Sequence, residues 1–192
     1  MIRTLTRLIL TALGRLVALV IFKLNITGQE NLPKSGPLLV VSNHFSWFEA
    51  PTIMTHLPYP VTFVAATELQ RGWFFPLLFY AFEMIPVWRG QPDRKALARV
   101  QKMLENGRVV GIFPEGGIDP SLRDRVARGE TITEVAGHLS RENAQLISAR
   151  PGTAFVAIRT DSKILPIAMI GTEKVIDNLR RLRRPPVEMR IG

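Results

Sequence analysis

Three runs of almost uninterrupted apolar residues, Leu38-Leu39-Val40-Val41, Val109–Phe113 and Ile164–Ile170, constrain this chain most. A strand that is apolar on both faces must be covered on both, which parallel sheets achieve by alternating strands with helices. The segments between these runs read that way. Glu49–His56 has a helical pattern, Val61–Ala65 that of a strand, and Trp73–Phe82 that of an aromatic helix or an apolar hairpin. Ile85–Trp88 is a short strand. Arg94–Asn106 is a helix with apolar positions at Ala96, Leu97, Val100, Met103 and Leu104, closed by Gly107. Residues 118–150 are polar, with helical periodicity from Ile132 onward, and Phe155–Ile158 reads as another strand. Val187–Ile191 alternates like the start of a further strand, and a C-terminal truncation fits that ending. The expected fold class is α/β, a mostly parallel central sheet flanked by helices, with an N-terminal amphipathic membrane-associated helix. Residues 1–24 form that helix and residues 25–192 the globular domain.

The N-terminal expectation rests on where the basic residues sit. Residues 2–22 are dominated by Leu, Ile, Val and Ala, and Arg3, Arg7, Thr11, Gly14, Arg15 and Ala18 recur every three or four positions as one weakly polar stripe. Such a helix suits the headgroup boundary of a bilayer. Its length is also near the roughly 20 residues a span needs, although Arg15 would then cost about 2–3 kcal/mol inside the membrane. The formal net charge of +9 asks for an anionic partner. The cations gather in this segment and in Arg180-Arg181-Leu182-Arg183-Arg184, and no nucleic-acid-binding signature is present. An anionic membrane surface fits that distribution better than nucleic acid. The absence of cysteine removes disulfides, thiolate nucleophiles and thiolate metal sites.

The first apolar run ends in Asn43-His44-Phe45-Ser46-Trp47-Phe48-Glu49. Ser46-x-x-Glu49 has the form of a capping box, which starts a helix at Ser46. His44 precedes the cap, so its ring can fold back over the first turn towards Glu49. A carboxylate holding one ring nitrogen's proton leaves the other nitrogen free to act as a general base. Glu49 as nothing more than the capping-box partner fits the same residues.

Phe113-Pro114-Glu115-Gly116-Gly117 follows a strand, where the proline ends pairing and the glycines let backbone approach a ligand closely. An ordinary strand-to-loop turn reads the same way. Trp88-Arg89-Gly90 places a guanidinium, suited to phosphate, at another strand end. His56 and His138 share no ligand spacing with His44, so no metal is expected. P-loop, dinucleotide-binding and Gly-x-Ser-x-Gly signatures are missing.

Taken in order, these segments resemble the glycerolipid acyltransferase family of the plsC type, the 1-acylglycerol-3-phosphate acyltransferases. The family's Asn-His-x-Ser-x-x-Asp motif is matched by Asn43–Glu49, with Glu49 in the Asp position. Phe63-Val64-Ala65-Ala66-Thr67-Glu68-Leu69 resembles its Phe-Val-x-x-x-Glu-Leu stretch. Met84–Arg89, Phe113–Gly116 and Ile164–Ala168 resemble its later blocks, while Gly117, Ile118 and Asp119 replace a Thr-Arg-Ser tail. The resemblance covers roughly residues 25–175, making residues 25–192 an acyltransferase domain. It implies an O-acyltransferase of phospholipid biosynthesis at the cytoplasmic face of the cell membrane. The fatty acyl group would pass from acyl-CoA or acyl carrier protein to a lysophospholipid hydroxyl, that of 1-acyl-sn-glycerol-3-phosphate, without a cofactor. It implies His44 and Glu49 as catalytic and Arg89, Glu115, Gly116 and Gly117 as substrate-binding. A non-catalytic membrane-associated lipid-binding homologue is the alternative.

Overall fold

The computed structural model describes residues 1–88, 93–114, 149 and 151–192. Among these residues, seven strands form one sheet in the order β1-β7-β6-β2-β5-β3-β4. They are β1 (Lys23–Thr27), β2 (Leu38–Ser42), β3 (Val61–Ala66), β4 (Ile85–Val87), β5 (Val109–Ile112), β6 (Lys163–Ile170) and β7 (Pro186–Ile191). Every neighbouring pair is parallel except β6 with β7. Among the described residues, six helices cover the sheet: α1 (Ile2–Ile21), α2 (Glu49–His56), α3 (Phe75–Phe82), α4 (Arg94–Glu105), α5 (Pro151–Thr160) and α6 (Val175–Arg180).

Alternation along the central strand sorts the layers. Leu38 and Val40 point to one face, where residues of α1, α2, α3 and α6 bury against them. Leu39 points to the other, packed with Ala96, Val100 and Leu104 of α4 and Val156 and Ala157 of α5. The two-sided covering expected of uninterrupted apolar strands is therefore present. Local signals set the ends of α4. Asp93 caps its start by accepting the Ala96 N–H at 2.9 Å. At its end the Gly107 and Arg108 amides donate to the Leu104 and Met103 carbonyls, with Gly107 at φ +71°.

Phe155–Ile158 is not a strand: it lies within α5. A four-residue apolar run carries too little periodicity to separate the two states. Pro151 supplies the favoured first helical residue, and only Val156 and Ala157 turn inward while Phe155 and Ile158 stay exposed. The aromatic segment resolves as a helix, α3, rather than a hairpin. Strand β1, which alternates half-buried and exposed residues at the sheet edge, carries no apolar run to announce it. The helical periodicity expected from Ile132 lies outside the described residues.

Helix α1 is amphipathic in the inverted sense. Its weakly polar stripe faces the domain: Arg3 pairs with Glu83 at 3.0 Å, and Arg15 Nε donates to the Thr55 carbonyl at 2.6 Å. Gly14 lies against α2 so closely that a Cβ there would sit 2.7 Å from Thr55 Cγ2. Arg184 donates to the Leu19 and Phe22 carbonyls and so caps the helix's C-terminal end. Leu5, Leu8, Ile9, Leu16, Leu19 and Val20 face outward, exposed. The helix is long and apolar enough to cross a membrane, yet one side of it is docked. An exposed apolar face of this extent marks an interaction surface.

Two predictions follow from this docking. Gly14→Leu forces side-chain volume into the α1–α2 contact, so it lowers unfolding stability by about 1–3 kcal/mol and speeds proteolysis between α1 and β1; thermal melts and limited digestion read both. Glu83 also accepts from Arg108, and that bond, reinforced by the charges of Arg108, Arg3 and Arg7, holds its carboxyl below the usual glutamate range. A carboxyl lowered on folding stabilises fully above its unfolded value and loses that contribution as pH falls through the folded one. The stability gap between the native sequence and Glu83→Gln is therefore constant near pH 7 and closes below about pH 4, as denaturant titrations at several pH values will show.

Candidate active site

Parallel strands place their carboxyl ends at one edge of the sheet, and ligands of such folds bind beyond that edge. Adjacent strands β2 and β5 pair from Leu38↔Val109 to Val41↔Ile112, so the residues that follow each emerge side by side. After β2 comes His44; after β5 comes Phe113. Their rings stack with centroids 4.0 Å apart and planes 12° apart, and Phe63 of β3 backs Phe113 at 5.1 Å. Asn43 fixes the exit of β2. Its amide nitrogen donates to the Met169 carbonyl at 2.8 Å and its oxygen accepts the Met169 N–H at 2.8 Å, which ties the turn to β6.

His44 and Glu49 meet. Nδ1 of the ring lies 3.2 Å from Glu49 Oε2, and since a carboxylate only accepts, the bond selects the Nδ1–H tautomer of a neutral ring, in which Nε2 is the acceptor. The same carboxylate accepts the Phe45 N–H at 3.2 Å, the Ser46 N–H at 2.8 Å and the Ser46 hydroxyl at 3.1 Å. Thr172, from the turn after β6, donates its hydroxyl to Oε1 at 2.5 Å. The carboxylate is fully buried, and donors from five groups replace the water it has lost. One carboxylate thus meets the imidazole and accepts the Ser46 amide, but the capping box is only half present, since Ser46 does not cap the helix in return. The regular helix begins at Glu49 rather than Ser46, because Ser46 turns its own oxygen to accept the Phe48 N–H at 3.2 Å. The amides of Phe45, Ser46 and Phe48 are all engaged, so they are not available to an oxyanion.

His44 opens onto a cavity of about 930 Å³, mostly apolar. One wall is α1, through Leu10, Leu13, Val17 and Ile21; another is α3, through Phe75, Leu78 and Phe82. Trp88, Asp93 and Pro114 also line it. Asp93 joins the chain on either side of residues 89–92 by accepting the Trp88 N–H at 3.1 Å as well as that of Ala96, and these backbone bonds hold its carboxyl below the ordinary range. Arg89, Glu115, Gly116 and Gly117 lie outside the described residues, as does His138. His56 is a structural histidine: Nδ1 donates to the Thr52 carbonyl at 2.9 Å, and burial lowers its pKa. Sequence reasoning missed Thr172, which no motif or spacing connects to a residue 123 positions away.

A family model described as "Acyltransferase" matches residues 23–170. The chain belongs to the acyltransferase family. It is 28% identical over 161 residues to a chloroplastic 1-acyl-sn-glycerol-3-phosphate acyltransferase of Arabidopsis thaliana, covering 81% of this chain and 38% of the relative. With the 1-acyl-sn-glycerol-3-phosphate acyltransferase of Borreliella burgdorferi it shares 26% identity over 152 residues, 78% of this chain and 52% of that one. A lyso-ornithine lipid O-acyltransferase of Pseudomonas aeruginosa is 30% identical over 179 residues, 90% of this chain and 62% of the relative. The chain therefore spans from about two fifths to about three fifths of these relatives' length. The fold matches the crystal structure of the 1-acyl-sn-glycerophosphate acyltransferase PlsC from Thermotoga maritima, with a TM-score of 0.67 at 22% identity over 99% of this chain and 68% of that chain.

The paired amide bonds of Asn43 give the site's anchor a measurable strength. Asn43→Ala leaves the Met169 N–H and carbonyl without their partner and costs about 1–3 kcal/mol, read as a lower urea midpoint at unchanged slope.

Proposed function

We propose that this acyltransferase moves a fatty acyl group from a thioester, acyl-CoA or acyl carrier protein, to the free hydroxyl of a lysophospholipid. The observation that carries the reading is the His44–Glu49 pair at the mouth of a large apolar cavity. Nε2 of His44 removes the acceptor's hydroxyl proton as that oxygen attacks the thioester carbonyl. Glu49 holds the ring through Nδ1 and balances the imidazolium that forms. The tetrahedral intermediate then collapses, the carbon–sulfur bond breaks, and the thiolate takes the proton back from Nε2. Thioesters are already activated acyl donors and the attacking oxygen belongs to the acceptor, so the route requires neither a cofactor nor an acyl-enzyme. The cavity, walled by α1 and α3, suits an alkyl chain of the donor or acceptor.

For the acceptor we favour 1-acyl-sn-glycerol-3-phosphate, the substrate in the names of two of the relatives above. The family resemblance assigns its phosphate to Arg89 and has Glu115 with Gly116 shape the acceptor pocket. The similarity to a lyso-ornithine lipid O-acyltransferase, across most of the chain, supports a second reading in which the acceptor is a lyso-ornithine lipid. Both acceptors belong at an anionic membrane, on its cytoplasmic face. The outward apolar face of α1, Trp73 at 94% exposed and Leu182 at 96% exposed among Arg180, Arg181, Arg183 and Arg184 support that location.

Purified protein in mixed micelles, given labelled acyl-CoA or acyl carrier protein with lysophosphatidic acid or lyso-ornithine lipid, tests this directly. Transfer to the first acceptor is expected to exceed transfer to the second; the reverse preference selects the second reading. His44→Ala lowers transfer by about 10²–10⁴-fold with an unchanged melting temperature. Retention of most of the activity in that variant would remove His44 from the mechanism and favour a lipid-binding role.

A further inference from the structure

Of the groups that satisfy the Glu49 carboxylate, those on His44, Phe45 and Ser46 lie three to five positions before it in the chain and move with its own turn. Thr172 is different. Among the described residues it supplies the one hydrogen bond from another element to this carboxylate, at 2.5 Å, and it is itself buried. Its position is built by the turn after β6. Gly171 adopts φ +89°, and a Cβ there would lie 2.5 Å from the Pro186 carbonyl oxygen, so the backbone that turns Thr172 inward admits only glycine without strain. Val175, three residues after Thr172, is fully buried and seats the turn on the core.

We propose that Thr172 is a positioning residue for the reaction, fixing the plane in which the Glu49 carboxylate meets His44. This rests on the reading of His44 as the general base. A glutamate side chain has one more torsion than an aspartate and can swing its carboxylate about the last of them. The Thr172 hydroxyl joins the Phe45 and Ser46 donors on Oε1 from the turn after β6, which fixes the carboxylate plane with Oε2 towards the imidazole Nδ1–H. With Oε2 so placed, His44 is locked as the tautomer whose Nε2 is unprotonated and turned to the cavity. Without that hydroxyl, the carboxylate is still held by the donors of its own turn, but among the described residues no donor from outside that turn fixes its plane. The ring then samples both tautomers, and only one of them is a base. The longer side chain at the family's Asp position and the threonine on the far side of the sheet edge are two halves of one device.

The test compares Thr172→Val, which keeps the shape and removes the donor, with Thr172→Ser, which keeps the donor. Full-length protein in micelles is assayed with acyl-CoA and lysophosphatidic acid. In parallel, the His44 ring nitrogens are followed by NMR, assigned by their absence from His44→Ala. Thr172→Val is expected to lower kcat about tenfold with both KM values within twofold, and to turn a single ring tautomer into a mixture. Thr172→Ser is expected to restore both to near the unsubstituted protein. Should Thr172→Val fail to fold, Thr172→Ala removes the same hydroxyl without setting a methyl against the carboxylate. An unchanged tautomer and kcat in the donor-less variant overturns the proposal, as does an equal loss in the serine variant. If the unsubstituted protein transfers no acyl group while Thr172→Val still mixes the tautomers, the coupling stands and the proposed reaction fails.

Discussion

A carboxylate with no exposure to water is tolerable only where protein donors replace the solvent it has lost, and Glu49 dictates the structure around it for that reason. Its donors come from two backbone amides, two hydroxyls and an imidazole. Satisfying them requires β2 to stop at Ser42, the chain to turn tightly through Phe45 and Ser46, and α2 to begin where the side chain can reach back. It also requires the end of β6 to lie alongside, which the Asn43–Met169 amide pair ensures from the β2 side. The outcome is an imidazole whose outer nitrogen meets an apolar cavity and whose inner nitrogen is anchored through the sheet.

The second constraint is the inverted amphipathicity of α1. In a helix covering a soluble core, apolar residues point in and charged ones out. Here Gly14, Ala18 and the arginine stripe point in, and Leu5, Leu8, Ile9, Leu16, Leu19 and Val20 point out. Small residues bring the helix close to α2, and the arginines find a carboxylate and a carbonyl on the domain. Packing α1 this way creates an apolar outer surface and, at the same time, the inner wall of the cavity through Leu10, Val17 and Ile21.

Much of this was legible from residue patterns, for physical reasons that differ by element. The Leu38–Val41 run lies within β2 and the Glu49–His56 pattern is α2, although the cap read at Ser46 set the helix start three residues early. Phe155–Ile158 misled because four apolar residues on a short helix look like a strand when nothing flanks them to show the period. Strand β1 was silent because an edge strand buries only half its residues. At the site, the proximity of His44 and Glu49 is encoded locally, five residues apart with a cap between them. The contribution of Thr172 is not, since it depends on β6 lying beside β2, a fact of topology that no local pattern contains.

These two constraints converge on one geometry. The wall that α1 lends to the cavity is the inner side of the same helix whose outer side is apolar and exposed. On the proposed function, lipid substrates dissolve in the medium that this outer side contacts, so a chain moving from bilayer to cavity exchanges one apolar surface for another and loses little solvation free energy in transit. The polar end of the acceptor must travel the opposite way, into contact with His44, where a buried, fully partnered carboxylate keeps the ring oriented without offering its own charge to the substrate. A helix docked by its polar stripe and a carboxylate satisfied entirely from within are therefore complementary solutions: the first lets apolar matter approach the site, and the second keeps a charged group working where apolar matter surrounds it.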